Sequence, residues 1–504
     1  MAAALTERLA AALDLGRRDP GAGRSRALVL AAAAAAAMLV RDLILLWIFS
    51  FSVSRDTQSY LSGDAIRTRP YHVLAQLTRA ADQPLVLVLV QIALAALAAA
   101  ALVYVIGRWN LLLAAAIGLL MAADLNWAIT NRWLMTESAS LSFLVLSLAC
   151  LAYQYENREL LHPLGLAAAG ALFGWTLTIR PSTLPLALPL LAGYLWFTRS
   201  WLKTAWLAAG LAAVLLASAL LTLYQVGRFQ LSGQTGVYLA FPLLTYHLLS
   251  PDNGPSSRDI DTALRSCYPD LDYSAIYVEN SNEYFWVRFE PCLDGQGWSS
   301  QRISDEFASA YLEGVRSRPG QWTRDVFDWT LIALRNPIYN EELTGRECTA
   351  YRWCTRWAAG VEACSTSATC AAAAVWESRL ARLSQPLEQL PVALLSLETG
   401  RHFNALAEGR LIPLPLWFEA AVLMTWAALG ALVWFGTRGP LRLLGAASLV
   451  YVVYFALSTV AGHVFIPRYS LLLSPFESIL SALALMVVAA LILGAVRRLV
   501  RRRR

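Results

Sequence analysis

Residues 84–106 read PLVLVLVQIALAALAAAALVYVI, from Pro84 to Ile106 without one charged side chain. An α-helix rises about 1.5 Å per residue, so a run of this length covers a hydrocarbon core of about 30 Å. In lipid the backbone amides must be bonded within their own segment, which selects helix over strand. Similar runs recur before and after it, at 27–53, 110–129, 137–154, 163–179, 184–198, 205–224, 416–436, 441–460 and 471–495. The chain is 57% hydrophobic and 15% charged, against about 45–50% and about 25% in soluble domains. The fold class expected is an all-α polytopic membrane protein of about ten transmembrane helices.

The polar segments divide the chain. Residues 1–26 form a cytoplasmic N-terminal segment with an amphipathic stretch, Leu5–Leu15, suited to the membrane surface. Residues 27–224 form a module of about seven helices with an outward loop at 54–83. Residues 225–415 form an extracytoplasmic domain, residues 416–495 about three further helices, and residues 496–504 a basic tail. Ala27–Val53 is expected to be a span and not a cleaved leader, being too long and lacking a small-x-small exit. Arg41 and Asp42 lie inside it. Neighbouring residues do not face each other on a helix, so they are not expected to pair; either they face the bundle interior or the span is irregular there.

Orientation follows from the cations. An even number of spans with the N-terminus inside places Arg17, Arg18, Arg24, Arg26, Arg108, Arg158, Arg199, Lys203, Arg438, Arg442 and the Arg497–Arg504 tail on the cytoplasmic side. That arrangement obeys the positive-inside rule. The net charge of +6 is therefore topological, and no nucleic-acid partner is expected. Ala-rich, Arg-over-Lys usage points to a GC-rich bacterial genome and thus to a bacterial inner membrane.

The 225–415 segment is polar and rich in Trp, Tyr and Asp, with helix-like patches at Arg302–Arg316 and Ala373–Leu390, so a mostly α or mixed domain is expected. It carries six of the seven cysteines: Cys267, Cys292, Cys348, Cys354, Cys364 and Cys370. Outside the cytoplasm these suggest up to three disulfides, in any of about fifteen connectivities. No CxxC pair is present to favour a metal.

Four outward-facing clusters carry possible chemistry. In the first loop, Asp56 sits where a span leaves the membrane and is placed to take a proton from a hydroxyl; Arg67 and Arg69 suit a phosphate. The alternative is a helix-capping Asp56 with snorkelling arginines. In the turn Asn131–Ser138, Glu137 starts a helix at its positive end, while Trp127 and Trp133 read as interfacial anchors. Arg180-Pro181-Ser182 closes the fifth span, where Arg180 suits either a ligand or lipid headgroups. His463-Val464-Phe465-Ile466-Pro467-Arg468-Tyr469 opens the last. Nucleotide-binding and hydrolase motifs (GxxxxGK[ST], HExxH, GxSxG, GxGxxG after a strand) are missing from the sequence.

The ordered set resembles the type C superfamily of membrane glycosyltransferases (GT-C), which use polyprenyl-phosphate-linked sugars. Asp56-Thr57-Gln58-Ser59-Tyr60, followed by Arg67-Thr68-Arg69-Pro70-Tyr71, is similar to the family's D-x-x-x-Y and R-x-P-x-Y-P-like elements. Thr136-Glu137-Ser138 is similar to its "TES" turn, Arg180-Pro181-Ser182 to its "RPs", and Arg468-Tyr469 to its late "RY". The likeness covers spans one to seven and the last two, and leaves the 225–415 domain unmatched. Thr57 departs from the second acidic residue of many members, and His72 from a common proline. The resemblance implies transfer of a monosaccharide to an acceptor hydroxyl of a glycan, lipid or protein, with inversion and Asp56 as general base. It further implies donor contacts drawn from Tyr60, Arg67, Arg69, Tyr71, His72, Arg132, Glu137, Arg180, Arg468 and Tyr469. Arg69, Arg180 or Arg468 would meet the lipid phosphate, and Glu137 would position the sugar or pair with Arg132. No cofactor is required beyond, in some members, a divalent cation. Two alternatives remain: a ligase or polymerase of lipid-linked glycans centred on Arg401 with His402 or on His463 with Arg468, and a transporter or flippase, for which Arg41 and Asp42 speak.

Overall fold

The computed structural model describes residues 23–49, 60, 69–80, 83–156, 163–227, 229–231, 235–276, 281, 284–335, 416–462 and 474–503. The elements among them are all helical. The N-terminal part comprises α1 (Arg24–Phe49), α2 (Arg69–Leu77), α3 (Pro84–Gly107), α4 (Leu111–Ala123), α5 (Leu125–Arg132), α6 (Thr136–Glu156), α7 (Pro163–Ile179), α8 (Ala187–Thr198) and α9 (Trp201–Val226). A polar insert follows with α10 (Thr235–Thr245), α11 (Pro255–Cys267), α12 (Glu290–Gly295), α13 (Ser300–Ser317) and α14 (Pro319–Arg335). Three apolar helices close the chain: α15 (Leu416–Gly436), α16 (Gly439–Gly462) and α17 (Ser474–Arg503).

Six helices among the described residues, α1, α3, α6, α9, α16 and α17, are long and apolar enough to cross a membrane. Of the remaining expected spans, those at α4, α7 and α8 are shorter apolar helices, as is the Trp426–Gly436 part of α15, and two depart from expectation for local reasons. The run at 110–129 is two helices, because the Asp124 side chain accepts the Trp127 amide at 3.1 Å and starts α5 afresh. The run at 184–198 enters α8 through a 3-10 turn, Pro181–Leu186, since Pro181 and Pro185 lack the N–H that an α-helix would use.

Small residues bring the helices together. On α1 the buried stripe Ala27, Ala31, Ala34, Met38 follows helical spacing and packs on α3 and α4. α7 and α9 touch backbone to backbone: a Cβ on Gly170 would lie 2.0 Å from the Leu207 carbonyl oxygen, and one on Gly210 would lie 1.9 Å from that of Ala167. The helices alternate in direction. One end of the bundle joins Gly107 to Ala27, Gly165 to Gln154 and Trp109 to Gly439. The opposite end gathers the C-termini of α1, α5 and α7 with the N-terminus of α6.

The insert folds around Phe285, whose ring meets Phe241 at 5.6 Å and Phe307 at 5.3 Å. Glu313 of α13 accepts the amides of Ser256 and Ser257 at the start of α11. Cys267 and Cys292 form a disulfide with a Cα–Cα distance of 6.2 Å; Cys348, Cys354, Cys364 and Cys370 lie outside the described residues. The helix expected at Arg302–Arg316 is α13, whereas Ala373–Leu390 lies outside the described residues. The insert's apolar core is continuous with that of the bundle, and α14 packs on α15 and α16. On α14, burial and then the Asp328 carboxylate push Asp325 up to about 6.

Two outcomes are expected. Gly210→Leu should lower stability by about 1–3 kcal/mol through overpacking, read as thermal unfolding in detergent, while Gly193→Leu, where a side chain has open space, should leave it unchanged. Asp325 has its pKa raised on folding, so its contribution is full below about 4 and lost as pH rises through about 6. Asp325→Asn should therefore remove that loss and leave the variant more stable than the parent at pH 8.

Candidate functional site

The buried stripe of α1 runs on, at the same helical spacing, into Arg41 and Asp42. Asp42 is fully buried. Arg41 Nε donates to Asp42 Oδ1 at 2.8 Å, so the two do pair, contrary to the expectation for neighbours on a helix. The reason lies across the bundle. The chain breaks between α4 and α5 at Asp124, and there Arg41 Nη1 reaches the carbonyls of Met121 (2.8 Å), Ala122 (3.0 Å) and Asp124 (2.8 Å). Drawn towards α4, the guanidinium presents its Nε to the adjacent carboxylate. The second Asp42 oxygen accepts from Asn131 Nδ2 at 2.8 Å, and Asn131 Oδ1 accepts the Ser138 hydroxyl at 2.8 Å.

Gln91, fully buried in α3, ties this network to the first loop. Its Nε2 donates to the carbonyls of Asn131 (3.2 Å) and Trp133 (2.7 Å), and its Oε1 accepts the Tyr71 hydroxyl at 2.8 Å. Burial, then the Glu137 carboxylate and Tyr60, hold the Tyr71 phenol well above its ordinary value, so it remains a neutral donor. The Tyr71 ring packs edge-on to Tyr60 at 5.4 Å, and His72 Nδ1 lies 3.0 Å from the Tyr60 carbonyl oxygen. α2 thus rests its inner face, Tyr71, His72 and Ala75, on the bundle. Trp127 and Trp133 are buried, at 0% and 7% exposure. They pack inward and do not serve as the interfacial anchors expected from the sequence.

Glu137 at the start of α6 pairs with Arg180 at the exit of α7, Oε1 to Nη1 2.8 Å, with side-chain exposures of 2% and 9%. Its other oxygen accepts the Thr136 hydroxyl at 3.2 Å. Arg180 is thus an ion-pair partner of Glu137 that the sequence did not point to, while Arg132 Nη1 lies 3.4 Å from the Leu45 carbonyl oxygen. Arg180 at this burial does not reach lipid headgroups. α16, which carries the buried Tyr451, packs on α6 and on the Pro181–Leu186 turn that follows Arg180.

Tyr60, Tyr71, His72, Arg132, Glu137 and Arg180 thus come to one end of the bundle, and Arg69 opens α2 there. Asp56, Arg67, Arg468, Tyr469, His463, Arg401 and His402 lie outside the described residues. Sequence reasoning passed over Gln91 and Tyr451 and left Arg41, Asp42 and Asn131 without partners. Gln91 had a signal, being the one side-chain amide in α3; Tyr451 had none. Among the described residues no three of His, Cys, Asp and Glu gather as a metal site. No family model, curated protein or solved structure matches the chain. Chemically, this end is a buried platform with two ion pairs that holds α2 beside the α5–α6 turn.

Removing one partner of a buried pair strands the other charge. Arg180→Ala should therefore cost about 3–5 kcal/mol, and the double variant Glu137→Gln/Arg180→Gln should be more stable than Arg180→Ala in thermal unfolding.

Proposed function

We propose that this protein is an integral membrane glycosyltransferase. It moves a monosaccharide from a polyprenyl-phosphate donor to an acceptor hydroxyl on the extracytoplasmic face. One observation carries the reading. Three of the clusters that resemble the GT-C pattern, far apart in sequence, meet at one end of the bundle: Tyr71 and His72 of the first loop, Glu137 of the α5–α6 turn, and Arg180 beyond α7. The spacing of a membrane-boundary carboxylate before them supports Asp56 as the base.

In this reading the chain crosses a bacterial inner membrane about ten times with both termini inside, and the polar end faces out. The Cys267–Cys292 disulfide supports that sidedness, since disulfides persist in oxidising compartments. Asp56 takes the proton of the acceptor hydroxyl as that oxygen attacks the anomeric carbon. The bond to the lipid phosphate breaks on the opposite face, inverting the centre, and polyprenyl phosphate leaves. Because Glu137 already neutralises Arg180, the charge that develops on the leaving phosphate falls first to Arg67, Arg69 and Arg468. Arg180 and Glu137 hold the floor of the site.

The break between α4 and α5 has a counterpart in transporters, whose broken helices line substrate sites. Here Arg41 binds the carbonyls at the break, which favours a scaffold role for the break.

Purified protein should transfer sugar from at least one member of a panel of polyprenyl-phosphate monosaccharides, and Asp56→Asn should lower turnover about 10²–10⁴-fold with unchanged unfolding temperature. Near-normal turnover in that variant removes Asp56 as base. Cytoplasmic labelling of a cysteine placed at position 56 would overturn the whole scheme.

A further inference from the structure

The last carbonyls of a helix have no partner within it and need donors from elsewhere, the more so at a membrane boundary. For α16 that donor comes from the insert. Tyr311 on α13 donates its hydroxyl to the Ala461 carbonyl oxygen at 2.5 Å, and the same hydroxyl accepts Trp322 Nε1 of α14 at 2.7 Å. Both capacities of the phenol are used, so its direction is set. Burial pushes the phenol to about 12, which keeps it a donor at ordinary pH.

The other contacts of α16 lead to the polar end of the N-terminal helices. It packs on α6 and on the Pro181–Leu186 turn that directly follows Arg180. Tyr451, buried on the same helix, is wedged between Phe455 at 5.4 Å and Phe476 of α17 at 4.2 Å. From Ala461 to Tyr451 a helix spans about 15 Å. A rod of that length, capped by the insert at one point and seated against α6 and the Pro181–Leu186 turn at another, moves both together.

We infer that Tyr311 is a positioning residue: through α16 it sets the seat of the Glu137–Arg180 pair, so that the insert and the membrane site act as one unit. This rests on the glycosyltransferase reading only where turnover is the readout. The insert then controls transfer without contributing a reacting group, and an acceptor engaged by the insert would be felt at Arg180 through α16.

The experiment compares full-length protein with Tyr311→Phe, which keeps the ring and removes the hydroxyl, in detergent or nanodiscs. Hydrogen exchange should quicken about fivefold in the last turns of α16 and, away from the substitution, at the amides of Arg180 and Thr183. Transfer should slow in kcat by a similar factor with donor KM unchanged. Trp322→Phe, which leaves the Tyr311–Ala461 bond in place, should give a smaller change of the same pattern, and it replaces Tyr311→Phe if that variant does not fold. Unchanged exchange at Arg180 and Thr183 overturns the inference whatever the activity. Quickened exchange there with no sugar transfer by the parent protein upholds the coupling and removes the glycosyltransferase reading.

Discussion

Asp42 and Glu137 are withdrawn from water at one end of this bundle, and each of these carboxylates has a guanidinium at 2.8 Å. An isolated charge in such surroundings is heavily penalised, whereas a hydrogen-bonded pair is tolerated. That constraint organises the neighbourhood. Asp42 holds Asn131, Asn131 holds Ser138, and Gln91 holds the backbone of the same turn together with Tyr71. Five helices are locked in register by polar contacts that ridge-and-groove packing would leave free to slide. Small residues do the complementary work: Gly170 and Gly210 let α7 approach α9 backbone to backbone.

The break at Asp124 shows the same economy of hydrogen bonds. An interrupted helix in an apolar setting exposes carbonyls on one side and amides on the other. Asp124 caps the amides and Arg41 collects the carbonyls. The interruption lets α5 present Asn131 towards Asp42, so an apparent defect in one helix is the means by which the first and third apolar segments are joined.

Much of this was legible in the sequence. The boundaries expected at 163–179 and 416–436 coincide with α7 and α15, because Pro163, Pro181, Pro415 and Gly436 punctuate apolar runs. The helical nature of the insert around Ser300–Ser317 followed from its amphipathic pattern, and the gathering of the first loop, the α5–α6 turn and the α7 exit followed from their alternation across a membrane. What the sequence did not disclose was partnership. Whether Glu137 meets Arg132 or Arg180 depends on how far α6 is rotated against α7, a quantity set by tertiary packing and not by local propensity. Arg41 and Asp42 looked unpairable because helix geometry separates neighbours, yet a long side chain drawn to a distant helix end brought them together. Residues that act through a third element, such as Tyr451, carry no local mark at all.

The cap that Tyr311 places on α16 also has a temporal side. A chain made from its N-terminus delivers α13 and α14 before α16 leaves the ribosome, so the hydroxyl is waiting when the Ala461 carbonyl arrives. The last helices of this protein are assembled against a finished surface, and errors in maturation of the polar insert would surface as misplaced C-terminal helices, far from the lesion that caused them.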